Sequence, residues 1–256
     1  MRMDTHLHTT VSTDSRMTLA EAMDRARQLG LGITLTEHMD LSYPRPDAFL
    51  FDVDRYFDAY GAYRSQEVLL GIEVGMRVDC REENRRLAAR TDFDYVLGSV
   101  HVIDNMDLYD TGFYQERDKP SAYRHYLQAM LECVTTHDFI DSLGHIDYIA
   151  RYARYDDPEL RYSEHAEEID AVLTALAQRE KALEINTRRL DRPDAAVALL
   201  QICQRFRQLG GHHVTIGSDA HQPEAIGRGM DAAEEIAERS GLKVVWFRER
   251  KPFYAD

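Results

Sequence analysis

Side chains that bind metal ions follow predicted strands along the whole chain. Nine imidazole and carboxylate groups stand at or near the ends of short apolar runs, spread from residue 6 to residue 221. They are His6, His8, Asp14, His38, Glu73, His101, His145, Asp219 and His221. No local motif holds residues so far apart in sequence. They can meet only in a closed, repeating fold that brings its strand ends to one face.

The rest of the pattern predicts such a fold. Apolar runs that predict strands buried on both faces alternate with segments of helical spacing. The predicted strands are 2–6, 32–36, 68–74, 93–100, 139–144, 182–186, 213–217 and 243–247. The predicted helices are 18–30, 53–65, 121–136, 164–180, 194–209 and 223–240, with 39–50 and 103–118 as loops over the mouth. Seven or eight β/α units predict an α/β barrel with its site at the carboxyl ends of the strands.

Composition limits the function classes. The 256 residues can form one domain, 1–256, without disulfides, and the net charge of −14 argues against a long nucleic acid as partner. The three cysteines include no CxxC pair, which predicts a reduced, cytoplasmic protein. We find no signal-peptide pattern and no apolar run near the roughly 20 residues of a membrane helix.

The donor atoms indicate which ions fit. Nitrogen and oxygen ligands without thiolate suit Zn, Mn or Fe in a catalytic site that holds water. Nine ligands exceed the coordination of one ion and predict two or three. His6 and His8, two apart on a strand, face the same side and can share an ion.

Each residue also has a structural interpretation. Asp219 can be a helix cap, Glu73 can pair with an arginine, and His101 and His145 can bind backbone groups. Asp14 lies in a polar loop where an Asx turn is equally expected. The shared position at strand ends favours the metal-ligand interpretation. The other five histidines are predicted to be structural or exposed: His125, His137, His165, His212 and His213.

At these residues the chain resembles the PHP (polymerase and histidinol phosphatase) metallohydrolase superfamily over nearly its whole length. The shared motifs are Asp-Thr-His-Leu-His at 4–8, Thr-Glu-His at 36–38, Gly-Ser-Val-His at 98–101, Gly-His-Ile-Asp at 144–147 and Gly-Ser-Asp-Ala-His at 217–221. Together with Leu-Glu-Ile-Asn-Thr at 183–187, they are most similar to the histidinol-phosphate phosphatase branch. The resemblance implies a distorted (β/α)7 barrel, usually with a trinuclear site.

The resemblance also implies three ligand sets. His6, His8, Glu73 and Asp219 would hold one ion. Glu73, His101 and His145 would hold the second, and Asp14, His38 and His221 the third. The chain departs from the family after Thr187, where Arg188 and Arg189 replace the usual Ser-Gly, so substrate contacts from this loop are not carried over.

These observations predict a metal-dependent phosphomonoesterase. Glu73, Asp219 and His221 are the predicted catalytic residues, with Asp219 or His221 passing a proton to the leaving alkoxide. Three arginines near the mouth are candidates for phosphate contacts because guanidinium matches phosphate in a bidentate manner. They are Arg151, Arg154 and Arg188. The resemblance implies histidinol phosphate as substrate, the last dephosphorylation before histidinol in histidine biosynthesis.

An acidic loop is a second candidate substrate contact. Four acids of the 103–118 loop could attract the cationic end of histidinol phosphate, or simply form a solvated surface. They are Asp104, Asp107, Asp110 and Glu116.

Three other functions stay open from sequence. A PHP phosphoesterase could act on nucleotides or another small ester. An amidohydrolase barrel that cleaves C–N bonds also begins with His-x-His, but it typically bridges its ions through a mid-barrel lysine or glutamate, and no lysine ends a predicted strand here. A binding module without catalysis fits poorly with nine ligands and open coordination.

Overall fold

Parallel strands alternating with helices form one sheet in the computed structural model, which describes residues 1–254. The strands are β1 Met3–Leu7, β2 Gly32–Met39, β3 Val68–Gly75, β4 Tyr95–Ser99, β5 Val102–Ile103, β6 Met106–Asp107, β7 Ser142–Leu143, β8 Ala182–Asn186, β9 His213–Gly217, β10 Lys243–Arg248 and β11 Lys251–Tyr254. The helices are α1 Leu19–Leu29, α2 Val53–Tyr60, α3 Arg81–Ala88, α4 Lys119–Thr136, α5 Ile149–Tyr152, α6 Ala166–Gln178, α7 Pro193–Gln208 and α8 Met230–Ser240.

The order of strands explains why one end of the molecule collects the functional groups. In the described residues the main sheet runs β1-β2-β3-β4-β7-β8-β9-β10-β11, and all neighbours are parallel except β10 and β11. Two backbone bonds join β1 to the end of β9: the N–H of His8 donates to Ala220 O at 2.8 Å, and that of Asp219 donates to His6 O at 2.7 Å. The carboxyl ends of seven strands therefore face one another in a distorted barrel.

All eight predicted strands are present, but 139–144 shortens to β7 at Ser142–Leu143, and β5, β6, β11 and the short helix α5 were not predicted. Two predicted helix bounds also need correction. The 223–240 helix begins only at Met230, because Gly227 and Gly229 have φ of 71° and 72°, outside the helical region. The 53–65 helix ends at Tyr60 and continues as a 3₁₀ turn over Gly61–Tyr63. Helix α3 was not predicted, since its charged sequence has few apolar residues.

Local capping follows the sequence. Thr18 and Glu21 form the predicted capping box of α1, and Gly30 ends that helix with φ of 65°. Asp52 caps α2 by accepting from the N–H groups of Asp54 and Arg55. The 103–118 loop contains the β5–β6 hairpin and a 3₁₀ turn at Thr111–Tyr114.

The C-terminal hairpin of β10 and β11 covers the amino ends of the strands. Trp246 packs with Met3 and Leu69, and the ring of Phe247 stacks on Tyr95 with centroids 5.4 Å apart. The guanidinium of Arg250 pairs with the carboxylate of Asp141, with Nε 2.6 Å from Oδ2. The amino end is thus filled by side chains, which leaves the carboxyl end as the open mouth.

The cysteines and the helices can be compared with what the sequence predicts. Cys80, Cys133 and Cys203 are buried and free. Among the described residues, no helix combines the length and the apolar character that spanning a membrane requires.

Candidate metal centre

The structure brings all nine predicted residues together at the carboxyl ends of the strands. They form four overlapping groups whose nitrogen and oxygen atoms lie within 4.8 Å of one another. The groups are His6, His8 and Glu73; His6, His145 and Asp219; His38, Glu73 and His101; and His8, His38 and His221. Asp14 joins the last group, since its Oδ2 lies 2.9 Å from Nε2 of His221 and 3.6 Å from Nε2 of His38.

Glu73, at the end of β3, lies at the centre of the cluster. Its Oε2 is 3.4 Å from Nε2 of His6 and 3.5 Å from Nε2 of His8. Its Oε1 is 3.0 Å from Nε2 of His145 and 3.3 Å from Nε2 of His101. Oε2 also lies 2.9 Å from Nδ1 of His38, so the two carboxylate oxygens face different sets of imidazoles.

The spacing of these atoms fits shared ions. Ligands about 2.1 Å from one tetrahedral ion lie about 3.4 Å from each other. Nε2 of His6 and Nε2 of His8 are only 3.1 Å apart, and both are 3.4–3.8 Å from Asp219 Oδ1. Two ring nitrogens in such contact, beside two carboxylates, are satisfied together when a cation lies between them.

Buried polar atoms that lack partners also fit a metal. Glu73 Oε2 and His38 Nδ1 are buried and lie 2.9 Å apart, yet neither makes a hydrogen bond of good geometry. Burying such atoms unsatisfied costs free energy, whereas coordination satisfies them. The residues present therefore fit divalent cations held by nitrogen and oxygen.

The electrostatics of the cluster depend on balance between carboxylates and imidazoles. Burial opposes ionisation of Glu73, but the imidazoles of His6, His38 and His101 hold its pKa well below the usual value. Burial likewise opposes charge on His38, yet Glu73 and Asp14 raise its pKa to about 10. Positive charge nearby therefore stabilises the ionised carboxylates, and bound metal ions would supply it in place of ring protons.

Asp219 is held ionised by a second source of charge. Nη1 of Arg151 lies 2.8 Å from Asp219 Oδ2, and Nη1 of Arg188 donates to Asp219 O at 3.0 Å. Burial disfavours the carboxylate, but Arg151 and His6 keep the pKa of Asp219 well below its usual value. Arg151 itself lies over the ring of Tyr148, 5.0 Å from the centroid.

The three predicted phosphate-binding arginines are not equivalent. Arg151 and Arg188 lie beside Asp219, at the edge of the cluster. Arg154 is exposed and lines a second surface cavity with Tyr43 and Asp110. Only the first two lie where a phosphate at the cluster could reach them.

A cavity of 290 Å³ opens beside His38 and His101. Its wall combines acids, aromatic rings and one arginine: Asp14, Asp40, Asp107, Tyr43, Phe49, Tyr109, Tyr148, Tyr152 and Arg45. Of the acidic loop residues predicted to face the substrate, Asp107 alone lines this cavity. Asp104 instead accepts from His125 at 2.7 Å, and Asp110 caps the turn at Thr111–Tyr114.

Three buried acids that support the cluster were not assigned a role from sequence. Glu37 accepts from the hydroxyls of Thr9 and Ser12, both at 2.6 Å, and so fixes the loop that carries His8 and Asp14. Asp40 Oδ1 lies 2.7 Å from Nδ1 of His101, and Glu184 Oε1 lies 2.6 Å from Nδ1 of His6. In the sequence, each of these acids lies inside or directly after an apolar strand, and that position could have identified it as a supporting residue.

The five histidines predicted to be structural or exposed contact other parts of the chain. The ring of His165 stacks on Tyr123, that of His125 lies next to Asp104, and that of His137 next to Cys133 O. His212 lies next to Arg207, and His213 next to Tyr254.

Comparisons with known proteins identify the family. A family model described as the PHP domain matches residues 4–188. A probable histidinol-phosphatase of Clostridium acetobutylicum is 46% identical over 255 residues, covering 100% of both chains. The histidinol-phosphatase of Lactococcus lactis is 32% identical over 248 residues, covering 94% of this chain and 92% of that protein.

A solved structure extends the comparison to three dimensions. The crystal structure of the Lactococcus lactis histidinol phosphate phosphatase, complexed with zinc, L-histidinol and phosphate, superimposes with a TM-score of 0.94. It is 31% identical in sequence, and the match covers 98% of both chains.

Proposed function

The chain belongs to the PHP-domain family, and from that premise we propose that it hydrolyses L-histidinol phosphate to L-histidinol and phosphate. The observation that carries the proposal is the cluster around Glu73, in a chain whose fold matches a phosphatase complexed with zinc, L-histidinol and phosphate. The named relatives are phosphatases, which favours phosphate-ester hydrolysis over the C–N hydrolysis considered from sequence.

Two or three divalent ions would be held by the nine residues in the three sets that the family motifs imply. Zinc is the first candidate because the solved relative binds it, and the same donors suit Mn or Fe. When bound, the ions lower the pKa of a water molecule and neutralise charge on the phosphoryl oxygens. Glu73 would link the first two ions, since its two oxygens face different sets of imidazoles.

The arginines beside the cluster are placed to bind phosphate. Arg151 has a buried Nε without a hydrogen-bond partner, so a donor remains available while Nη1 contacts Asp219. Arg188 is half-exposed at the opposite side of Asp219. We infer that the two guanidinium groups orient the phosphoryl group between them.

Proton donation to the leaving alkoxide can be assigned to one residue. Asp219, kept ionised by Arg151, has no proton to donate. His221 lies at the rim, with its Nδ1 2.9 Å from Asp219 O. Of the two residues predicted to protonate the leaving alkoxide, His221 is therefore the one we propose.

The neighbouring cavity suits the organic half of the substrate. Histidinol phosphate carries an amine and an imidazole, both of which bind acids when protonated. Asp40 and Asp107 supply negative charge in the cavity, and Tyr148 and Tyr152 supply ring faces that attract cations. A nucleoside monophosphate offers no comparable cationic group.

Substrate kinetics test the proposal. Phosphate release is measured for L-histidinol phosphate, nucleoside monophosphates and p-nitrophenyl phosphate, with the protein loaded with Zn or Mn. We expect kcat/KM to be highest for L-histidinol phosphate. Equal efficiency on all three would contradict the substrate assignment, and activity on none of them would contradict the phosphatase itself.

A further inference from the structure

Glu184 is a buried carboxylate on β8, a strand that supplies none of the nine residues. It lies in the middle of β8 and is 0% exposed. Its neighbours Leu183 and Ile185 are apolar and equally buried. A carboxylate in such surroundings is strongly destabilising unless hydrogen bonds or charges compensate it.

Both oxygens of Glu184 contact residues of the metal cluster. Oε1 lies 2.6 Å from Nδ1 of His6. Oε2 accepts from the backbone N–H of His145 at 2.7 Å and from Nδ2 of Asn186 at 3.2 Å. One side chain thus holds the ring of one candidate ligand and the backbone of another.

The contact with His6 determines which ring nitrogen faces the cluster. An ionised carboxylate only accepts hydrogen bonds, so the proton of His6 is on Nδ1. Nε2, which points at Glu73 Oε2 from 3.4 Å, then keeps its lone pair available for a metal ion.

Gly217 on the adjacent strand leaves the space for this contact. A Cβ atom at residue 217 would lie 2.3 Å from the Cβ of His6 and 2.4 Å from Glu184 Oε1. Atoms that are not bonded do not approach so closely, so the pairing of Glu184 with His6 requires glycine at position 217.

We propose that Glu184 is a positioning residue that sets the tautomer of His6 and the position of His145. The proposal rests on the metal site proposed above. It adds a role for β8: that strand contributes to metal affinity through a side chain that touches no ion.

Glu184→Gln is the informative substitution because it replaces one hydrogen-bond acceptor with an amide donor and keeps the shape of the side chain. The N–H of His145 is always a donor, so the amide oxygen of Gln faces it and the amide nitrogen faces His6. Nδ1 of His6 must then accept, which places the ring proton on Nε2. That tautomer blocks the nitrogen that faces the cluster.

The test has two readouts on the full-length chain. Zinc affinity is measured by competition with a chromophoric chelator, and ¹⁵N-histidine NMR of the zinc-free chain, recorded over a range of pH, reports which nitrogen of His6 keeps its proton when the ring is neutral. For Glu184→Gln we expect zinc binding to weaken by about 10- to 100-fold, with Nδ1 unprotonated. Wild type should show a protonated Nδ1.

Glu159→Gln is the matched control. Glu159 is also buried, 2% exposed, but it binds Arg189 at 2.7 Å instead of a cluster residue. It should lower thermal stability and leave zinc affinity and the His6 tautomer as in wild type. If both variants weakened zinc binding equally, the effect of Glu184→Gln would be general destabilisation and the proposal would be wrong.

The other outcomes of this experiment also test the proposal. Wild-type zinc affinity and a protonated Nδ1 in Glu184→Gln would overturn the proposal. If that variant fails to fold, Glu184→Asp replaces it, because it keeps the charge on a side chain one methylene shorter. Glu184→Asp should weaken zinc binding at least tenfold, with Nδ1 of His6 still protonated. Unchanged zinc affinity in Glu184→Asp would also contradict the proposal. Failure of wild type to bind zinc would count against the proposed function, while the NMR still reads the Glu184 contact.

Discussion

At the residue scale, the site is organised around one carboxylate. Glu73 is 0% exposed and lies within 3.5 Å of ring nitrogens of His6, His8, His38, His101 and His145, which come from four strand ends. In the proposed site, removing its charge would leave neighbouring cations to repel one another. A carboxylate in this position therefore affects more than one ion, unlike a ligand at the rim such as Asp14.

Glu73→Gln should lose metal from two sets at once. We expect elemental analysis to show a clear fall in bound metal, and kcat to fall by more than the roughly 100-fold that supporting residues of metal sites give. Asp170→Asn, which alters a partly exposed pair with Arg205, serves as the carboxylate-to-amide control. Full metal content with normal turnover in Glu73→Gln would rule out the linking role.

Arg151 and Arg154 can be separated by conservative substitution. Arg151→Lys loses the fork that reaches both Asp219 and phosphate, and a hydrogen bond to a charged group contributes about 1.5–3 kcal/mol. KM for L-histidinol phosphate should rise by roughly 10- to 100-fold. Arg154→Lys, at an exposed position, should change KM less than twofold; the opposite ranking would show that phosphate binds elsewhere.

At the element scale, patterns of a few residues predict most strands. The runs at 68–74, 182–186 and 213–217 match the observed strands within one residue, because strands buried on both faces are continuously apolar. Helix α3 was missed because its sequence, Arg81–Ala88, buries only Asn84 and Ala88. Its place depends on tertiary contacts, which a local pattern does not record.

The same limit applies to the candidate site. The nine predicted residues were recognisable because a polar group after an apolar strand is unusual, and the barrel brings such positions together. Glu184 and Asp40 have the same local signal, yet their partners, His6 and His101, lie far away in sequence. Which acids reach an ion and which support a ligand depends on distances across the barrel.

The contact between β1 and β9 can be tested through Gly217. Gly217→Ala places a methyl group against His6 and Glu184, and overpacking of this kind costs about 1–3 kcal/mol. We expect lower stability in urea unfolding and weaker zinc binding. Gly61→Ala, where a Cβ meets nothing within 4 Å, should be neutral or slightly stabilising. Equal stability of both variants would contradict the close approach.

The C-terminal hairpin should matter for stability and not for chemistry. Arg250 makes two bonds to Asp141, at 2.6 and 3.0 Å, at the end of the barrel opposite the cluster. Arg250→Ala should reduce the free energy of unfolding by about 1–3 kcal/mol, since Asp141 is buried and loses its partner. The kcat of the folded variant should match wild type. Arg239→Ala, which breaks an exposed pair, is the control.

At the scale of the whole molecule, the two ends of the barrel have different tasks. The amino end is filled by Trp246, Phe247 and the hairpin, and it adds stability. The carboxyl end gathers charged and polar groups whose burial is costly until cations bind. That the full 1–256 chain is one domain remains a prediction, consistent with a sheet that runs from Met3 to Tyr254.

Metal removal tests whether the cluster around Glu73 depends on bound ions for catalysis. The protein is stripped with a chelator, and phosphate release from L-histidinol phosphate is measured before and after zinc is returned. We predict that the stripped protein loses its activity and that two or three equivalents of zinc restore it. Turnover of L-histidinol phosphate that is the same with and without metal would contradict the account.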